Sequence, residues 1–523
     1  MDVPLTPLEL ARRAKSLYSD HLAVVDGDLR LTYAELFARC DRWSSVLARW
    51  GVGKGDRVAY IAPNTHAQLE GFYAVPQLGA VLVPLNYRLI GDDFAFMIAH
   101  SGAVIVCVHS DYLAVVDEIR GQCPDVRRWV ALEGMRAGFE DYEALIAAAD
   151  GRFSVPPITE GDLLTINYTS GTTSRPKGVM ITHRNAWMNS VGTLVHHSMA
   201  ADDAYLWTLP MFHANGWTFV WTVTAVGAKH VCLRKIDPAM IFDLLVRENI
   251  TVLCCAPTVL IAIAGAPAEL RARCPRGVRV LTAGAPPAAA TIERVEGELG
   301  WTVTHVYGLT ETAPFITICE PRAAHAAMTP GERARVKARQ GVELVTSGEL
   351  RVVDEAMVDV AHDGAAIGEI VVRGNVVMAG YFNDPEATER AFAGGYFHTG
   401  DSAVVHPDGY VEIRDRIKDI IISGGENISS IEIEATLLRH PAVQEAAVVG
   451  LPHEKWGEAP YAFVVLRPGA TATEHELREF ARAHLAHFKA PQGVTFVAEL
   501  PKTATGKIQK YVLRCGRSAI SRQ

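Results

Sequence analysis

Short runs of apolar, β-branched residues alternate with stretches of helical periodicity along most of this chain, and that alternation limits the fold more than any other feature. Thr32 and Glu35 form a capping-box pattern ahead of Leu36, Cys40, Trp43, Val46, Leu47 and Trp50, an apolar face at helical spacing that Gly51 and Gly53 bring to a stop. Val58-Ala-Tyr-Ile-Ala-Pro63 and Val81-Leu-Val-Pro-Leu85 follow as buried-strand patterns separated by another helix. The same rhythm returns at Val104–Val108, Val252–Cys255, Val278–Thr282 and Val303–Val306. A strand followed by a helix followed by a strand calls for crossover connections, so layered α/β subdomains with mostly parallel sheets are expected. Near Glu349 the texture changes. Glu349-Leu-Arg-Val-Val353 and Glu369-Ile-Val-Val-Arg373 lie close together and suit an antiparallel, barrel-like unit. After Arg416 helix and strand mix again, up to a basic tail containing Gly and Thr. At 523 residues, two or more domains are expected.

Several classes of function are disfavoured by composition. A formal charge of −9 argues against nucleic acid as the main partner, because phosphate backbones demand clustered Lys and Arg; a local basic patch could still hold a phosphorylated cofactor. The nine cysteines include the adjacent pair Cys254 and Cys255 but no Cys-x-x-Cys, a pattern of reduced thiols in the cytosol rather than of a disulfide framework or zinc site. The start, Met1-Asp-Val-Pro4, shows no apolar signal run. The uncharged stretch Ala204–Ala228 is long enough for a bilayer, yet Pro210, His213, Asn215 and several threonines mark it as enzyme interior. A soluble, cytoplasmic protein without a membrane span is expected.

The segment with the most chemistry in it is Tyr168-Thr-Ser-Gly-Thr-Thr-Ser-Arg-Pro-Lys-Gly-Val179. Thr169, Ser170, Thr172 and Thr173 flank Gly171, and Lys177 follows. Hydroxyl and backbone donors in such a loop can wrap phosphate oxygens while the lysine offsets their charge. It is not a Walker loop, since Gly-x-x-x-x-Gly-Lys-Ser/Thr is absent. Alone, the same composition would also suit a flexible surface loop.

The loop resembles the signature of the adenylate-forming superfamily, and further signatures stand in the family's order. Tyr307-Gly-Leu-Thr-Glu311 resembles the adenylate-binding motif and Tyr396-Phe-His-Thr-Gly-Asp401 the ribose motif. Arg416-Ile-Lys-Asp-Ile-Ile-Ile-Ser-Gly-Gly-Glu-Asn-Ile428 is similar to the hinge motif, and Pro501-Lys-Thr-Ala-Thr-Gly-Lys507 to the terminal-lysine motif. Gly368–Gly374 and Gly380-Tyr-Phe-Asn-Asp-Pro385 fit as well; Ser174, where glycine is commoner, is the one departure in the first loop. The resemblance implies a large domain over 1–416 that binds adenylate and acyl group, and a small mobile α+β domain over 417–523. It implies ATP, Mg²⁺ and coenzyme A as cofactors or co-substrates and a small carboxylic acid as partner, and it leaves a homodimer open.

Roles are carried over motif by motif. The resemblance implies that Glu311 holds Mg²⁺, that Thr310 contacts the α-phosphate, and that Lys177 and the loop residues Thr169 to Thr173 hold departing pyrophosphate. Asp401 is suited to accept from the ribose hydroxyls and Arg416 to donate to them. Tyr307 would stack on adenine, with Gly284-Ala285-Pro286 along its other side, where small residues admit a flat base. Lys507 would meet the carboxylate during adenylation, Lys418 would serve as hinge, and Gly424 and Gly425 would line the thiol channel.

Leu209-Pro-Met-Phe-His-Ala-Asn-Gly-Trp217 is similar to the acyl-site stretch of fatty-acyl and aryl-CoA ligases. The resemblance puts His213 beside the carboxylate and thiol path and makes Trp217 a wall or gate, while Gly284 and Gly308 leave room. No acidic residue lies between Leu209 and Gly227 to pair a substrate ammonium, which speaks against amino-acid substrates. The chain ends where a stand-alone ligase would, so a free thiol, coenzyme A, is expected as acceptor. A medium-chain fatty, short branched or aryl-alkyl acid is the expected substrate. An enzyme loading a carrier protein, a luciferase-like oxygenase and a non-catalytic nucleotide binder stand as rivals; Lys177, Glu311 and Lys507 are all present, against the last.

Overall fold

The computed structural model describes residues 2–169, 176–423, 426–453, 455–502 and 508–514. Ser170, Gly171, Thr172, Thr173, Gly424, Gly425 and Lys507 lie outside the described residues, as does the side chain of Lys418. Among the described residues the strands form sheets of nine, eight, four and five.

The opening helix pattern folds as its residues dictate. Tyr33–Arg49 is helical, with the Thr32 side chain accepting from Glu35 N–H and the Glu35 carboxylate accepting from Thr32 N–H at 2.7 Å. Leu36, Cys40, Trp43, Val46 and Leu47 are all buried on its inner face. The next strands are Arg57–Ile61, Val81–Leu85 and Ala103–Val108, parallel neighbours in the eight-stranded sheet. Leu163–Thr169 joins them in parallel beside Val81–Leu85, and then Lys177–Thr182 returns antiparallel to it. Gly380–Tyr381 adds the outermost strand of that sheet, pairing Tyr381 with Val179.

The nine-stranded sheet has a parallel centre in which Leu22–Asp26, Lys229–Val231, Ala204–Leu206, Val252–Cys255, Arg279–Thr282 and Thr302–Gly308 lie side by side. Strands buried on both faces are expected to read as continuous apolar runs, and Val252–Cys255, buried at every position, does so. The uncharged stretch Ala204–Ala228 is interior, with Trp207, Phe219, Val220 and Trp221 fully buried. No helix among the described residues is long and apolar enough to cross a membrane.

The antiparallel unit after Glu349 is a four-stranded sheet in the order Glu349–Val353, Gly368–Arg373, Phe397–Val405 and Val411–Arg416. Beyond it, Ile421–Ser423 opens a separate five-stranded sheet with its own core of Ile421, Ile428, Ile433, Leu437, Val448 and Val464. Asp415 Oδ2 reaches across this junction and accepts from the Ser430 N–H at 2.7 Å.

A partly buried ionic network ties the two large sheets together. Asp26, at the end of a strand in the nine-stranded sheet, bonds His66 Nδ1 at 2.8 Å; His66 begins the helix that follows Arg57–Ile61. His66 Nε2 meets Glu143 at 3.1 Å, and Arg39 joins Glu143 to the fully buried Glu70.

Candidate active site at the meeting of three sheets

Strand Thr302–Gly308 ends in Tyr307 and Gly308, and the chain then tightens into a 3₁₀ turn, Thr310–Thr312, before reversing as Phe315–Ile318. Glycine is required at 308 for the reversal itself. A Cβ there would lie 1.8 Å from the Pro314 carbonyl oxygen, so the space beside it belongs to backbone. On that side of Gly308 the reversing chain leaves no room for a side chain. Gly284, at φ +89° on the loop after Arg279–Thr282, has nothing within 4 Å of where a Cβ would be, and Ala285 and Pro286 are exposed beside it.

The turn carries Thr310 and Glu311 to the edge of the eight-stranded sheet. There Tyr381, on the outermost strand, donates its hydroxyl to Glu311 Oε1 at 3.0 Å. The same ring lies under the Lys177 ammonium, 4.6 Å from the centroid, within cation–π range. Burial, and then the Glu311 carboxylate, push the Tyr381 phenol well up, so it stays a donor at any physiological pH. Met378 N–H donates to the Glu311 carbonyl at 2.8 Å, fixing the turn's backbone as well. Sequence reasoning gave Tyr381 no role. Gly380-Tyr-Phe-Asn-Asp-Pro385 stood out as a motif, but only strand pairing with Val179 shows what its tyrosine touches.

The four-stranded sheet supplies the third part. Asp401 and Arg416 are paired across Phe397–Val405 and Val411–Arg416, with Arg416 Nε 2.6 Å from Asp401 Oδ1. Tyr307 donates its hydroxyl to the other carboxylate oxygen at 2.6 Å. Asp401 is buried, and each of its oxygens keeps a further lone pair for a second donor. Burial first, and then Asp401, raise the Tyr307 phenol far above its ordinary range. Tyr307, Asp401 and Arg416 are thus brought together, as are Glu311, Lys177 and Tyr381.

His213 and Trp217 flank an uncommon piece of backbone. Ala214, Asn215, Gly216, Trp217 and Thr218 all have positive φ, between +44° and +64°, a left-handed turn. Each L-residue so placed costs roughly 1–2 kcal/mol, and only Gly and Asn visit that region readily. Gly216 is also forced by contact, since a Cβ would meet the Trp207 ring at 2.4 Å. Trp217 is buried edge-on against Phe315, with ring centroids 5.5 Å apart, while His213 stays half-buried at the head of the turn. The His213–Trp217 segment and the Tyr307–Glu311 turn therefore share Phe315. Asn189 holds that residue from the far side, donating to its carbonyl at 2.8 Å.

Among the described residues no three His, Cys, Asp or Glu side chains gather as a metal cage. A single half-exposed carboxylate, Glu311, fits a Mg²⁺ ion that draws its remaining ligands from nucleotide phosphates and water, which is that ion's habit.

Fold and site together define an enzyme that activates acids as adenylates. The chain belongs to the AMP-binding enzyme family: that family's model matches residues 10–382, and the model of its C-terminal domain matches 432–507. The chain is 42% identical to 2-methylpropanoate–CoA ligase CCL4 of Humulus lupulus over 98% of its own length and 95% of that protein's. It is 42% identical to 4-hydroxybutyrate–CoA ligase 2 of Metallosphaera sedula, over 98% and 94%. Among solved structures, ATP-bound MatB from Rhodopseudomonas palustris superposes with a TM-score of 0.86 at 30% identity, covering 98% of this chain and 99% of that one. The o-succinylbenzoate CoA synthetase of Bacillus subtilis with its acyl-adenylate gives 0.83 at 28%, covering 97% of each. The protein is an AMP-forming acid–thiol ligase, joining an acid to AMP with release of pyrophosphate and then passing the acyl group to coenzyme A.

Proposed function

We propose that this ligase acts on a medium-chain fatty, short branched or aryl-alkyl acid lacking an amino group. The observation that carries this reading is Trp217, buried against Phe315 one turn from His213 in a stretch without any carboxylate. A large ring fixed there limits the length of acid that fits, and an ammonium would find no partner. The similarity to ligases named for 2-methylpropanoate and 4-hydroxybutyrate supports the short end of this range.

In the first half-reaction a carboxylate must approach the α-phosphate of ATP, anion against anion, so fixed cations and donors carry the catalysis. Lys177, Thr169 and the loop residues Ser170 to Thr173 hold the outer phosphates in this reading, and Thr310 donates to the α-phosphate. Mg²⁺ held at Glu311 would neutralise phosphate charge. Asp401 receives the ribose hydroxyls and Arg416 donates to them; Tyr307 presents its ring to adenine opposite Gly284, Ala285 and Pro286. Lys507 bridges carboxylate and phosphate. Rotation of 417–523 about Lys418 then exchanges Lys507 for the Gly424–Gly425 face, past which the thiol reaches the adenylate near His213. The free thiols of the described cysteines, most of them buried, suit a cytoplasmic setting.

A pyrophosphate-release screen over straight-chain, branched, hydroxy and aryl acids, each with and without coenzyme A, tests the assignment. Strongest turnover on amino acids, or on long-chain acids alone, would overturn it.

A further inference from the structure

The left-handed turn that carries Trp217 is pinned through Asn215 by two residues, Thr165 and Asn167, that lie outside every motif. Thr165 donates its hydroxyl to Asn167 Oδ1 at 2.8 Å, Asn167 Nδ2 donates to Asn215 Oδ1 at 3.0 Å, and Asn215 Nδ2 donates back to Thr165 Oγ1 at 2.9 Å. The three side chains close a ring, and all are buried, at 0, 1 and 2% exposure. Thr165 and Asn167 stand two apart on Leu163–Thr169, so they share one face of the strand that runs into the phosphate loop. Asn215 stands inside the turn, two residues from both His213 and Trp217.

A ring of this kind sets register. Each member's hydrogen bond is answered by the next, so a slip of the turn by one residue would leave buried amides and a hydroxyl without partners. The turn needs such a constraint because its backbone lies where L-residues do not settle unaided. Asn is a residue type that tolerates positive φ and can also reach a neighbouring strand. From the opposite side Trp207 closes on Gly216, leaving no room for the turn to shift that way. With the turn held at Asn215 and Gly216, Trp217 packs edge-on against Phe315.

We propose that the Thr165–Asn167–Asn215 ring is the positioning device for the acid site: it fixes Trp217 and His213 relative to the phosphate-loop strand and thereby sets which acids the enzyme selects. This rests on the acyl-site reading of His213 and Trp217 given above. The ring residues are positioning residues, acting through that turn.

Thr165→Val keeps the shape of the side chain and removes both of its hydrogen bonds. Asn215→Gly keeps a residue that accepts positive φ and removes the amide, so it carries the test if the valine variant does not fold. The expected result is an acid KM raised about tenfold, since small misplacements of a positioned group are felt strongly, with a changed ranking across a straight-chain acid series. The KM for ATP should stay unchanged, and Thr165→Ser should restore both the acid KM and the ranking. Trp217→Ala is run alongside. If it alters the acid ranking while folded Thr165→Val and Asn215→Gly keep wild-type acid KM and ranking, the ring is only scaffold and the proposal is overturned. Equal losses toward ATP and acid, or failure of Thr165→Ser to restore the profile, would overturn it as well. An unchanged ranking in Trp217→Ala instead removes the acyl-site reading itself.

Discussion

Tyr381 donates its hydroxyl to Glu311 across 3.0 Å, joining an edge strand of one sheet to the turn that closes another. The same phenol faces Lys177 with its ring, so one side chain orders an anion and a cation that nucleotide phosphates would need together. Neither Glu311 nor Lys177 is near Tyr381 in sequence. Tertiary structure alone makes them neighbours.

Tyr381→Phe keeps the ring beneath Lys177 and removes the bond to Glu311. A hydrogen bond to a charged group is worth about 1.5–3 kcal/mol, and the half-exposed carboxylate puts this one at the lower end. We expect kcat/KM for ATP to fall about tenfold, with more Mg²⁺ needed for half-maximal rate. Thioester formation from supplied acyl-adenylate should stay near wild type. Steady-state kinetics across a Mg²⁺ titration check this; an unchanged Mg²⁺ requirement would remove Tyr381 from the phosphate site.

Asp401→Asn leaves an acceptor for the Tyr307 hydroxyl while discharging the partner of Arg416. Asp401→Ala removes both contacts and should cost about 1–3 kcal/mol of stability through the buried phenol left unpaired. Both variants should weaken ATP far more than the acid, with Ala the less stable of the two. Isothermal titration with ATP and thermal melts separate the effects. Equal losses toward ATP and acid would count against the ribose assignment.

Lys507→Ala should abolish acid-dependent pyrophosphate release and still convert supplied acyl-adenylate and coenzyme A to thioester. An ammonium at about 4 Å from an anion contributes ~4 kcal/mol at an effective dielectric near 20. Felt only in the transition state, that is roughly a thousandfold in rate. Thiol attack on the mixed anhydride involves no approach of two anions and does not need this charge. A bulky side chain at Gly425 should do the reverse, and Lys418→Pro should impair the thioester step more than adenylation. Equal slowing of both half-reactions by a folded Lys507→Ala would end the two-conformation account.

The ionic network between the large sheets predicts a loss of stability in mild alkali. Burial alone would lower the His66 pKa, but hydrogen bonds to Asp26 and Glu143 outweigh it and lift the group to about 9. A raised folded pKa means that the contribution is full below the unfolded value of about 6.5 and fades as pH rises through about 9. The linkage is worth about 3 kcal/mol at most. Urea midpoints measured between neutral and alkaline pH should fall across that window, and His66→Gln should flatten the slope. Glu143, for which burial works upward but His66 and Arg39 prevail, is held down at about 2, so its share persists until strong acid.

Much of the fold was legible because it depends on near neighbours in sequence. The capping box at Thr32 and Glu35 satisfies backbone groups three residues apart, and Val252–Cys255 declares a strand buried on both faces by its composition alone. The motifs were legible for a similar reason: each of Tyr307–Glu311, Tyr396–Asp401 and Arg416–Ile428 is a continuous run, so its resemblance to a family signature can be read without knowing what it touches. What sequence could not decide was which runs meet. The pairing of Asp401 with Arg416 depends on strand register, and the meeting of Tyr381 with Glu311 on an edge strand added after a gap of about two hundred residues. That Gly308 must be glycine for the chain to reverse past Pro314 is likewise visible only in the folded backbone. Asn167 offered no signal at all, and Asn215 marked its stretch only as interior. An amide on a strand and an amide in an uncharged run become a hydrogen-bonded ring only when a left-handed turn, disfavoured locally, is held in place by contacts from distant parts of the chain. Local chemistry wrote the parts of this enzyme, and packing between distant strands decided their arrangement, because burial rewards contacts without regard to separation along the chain.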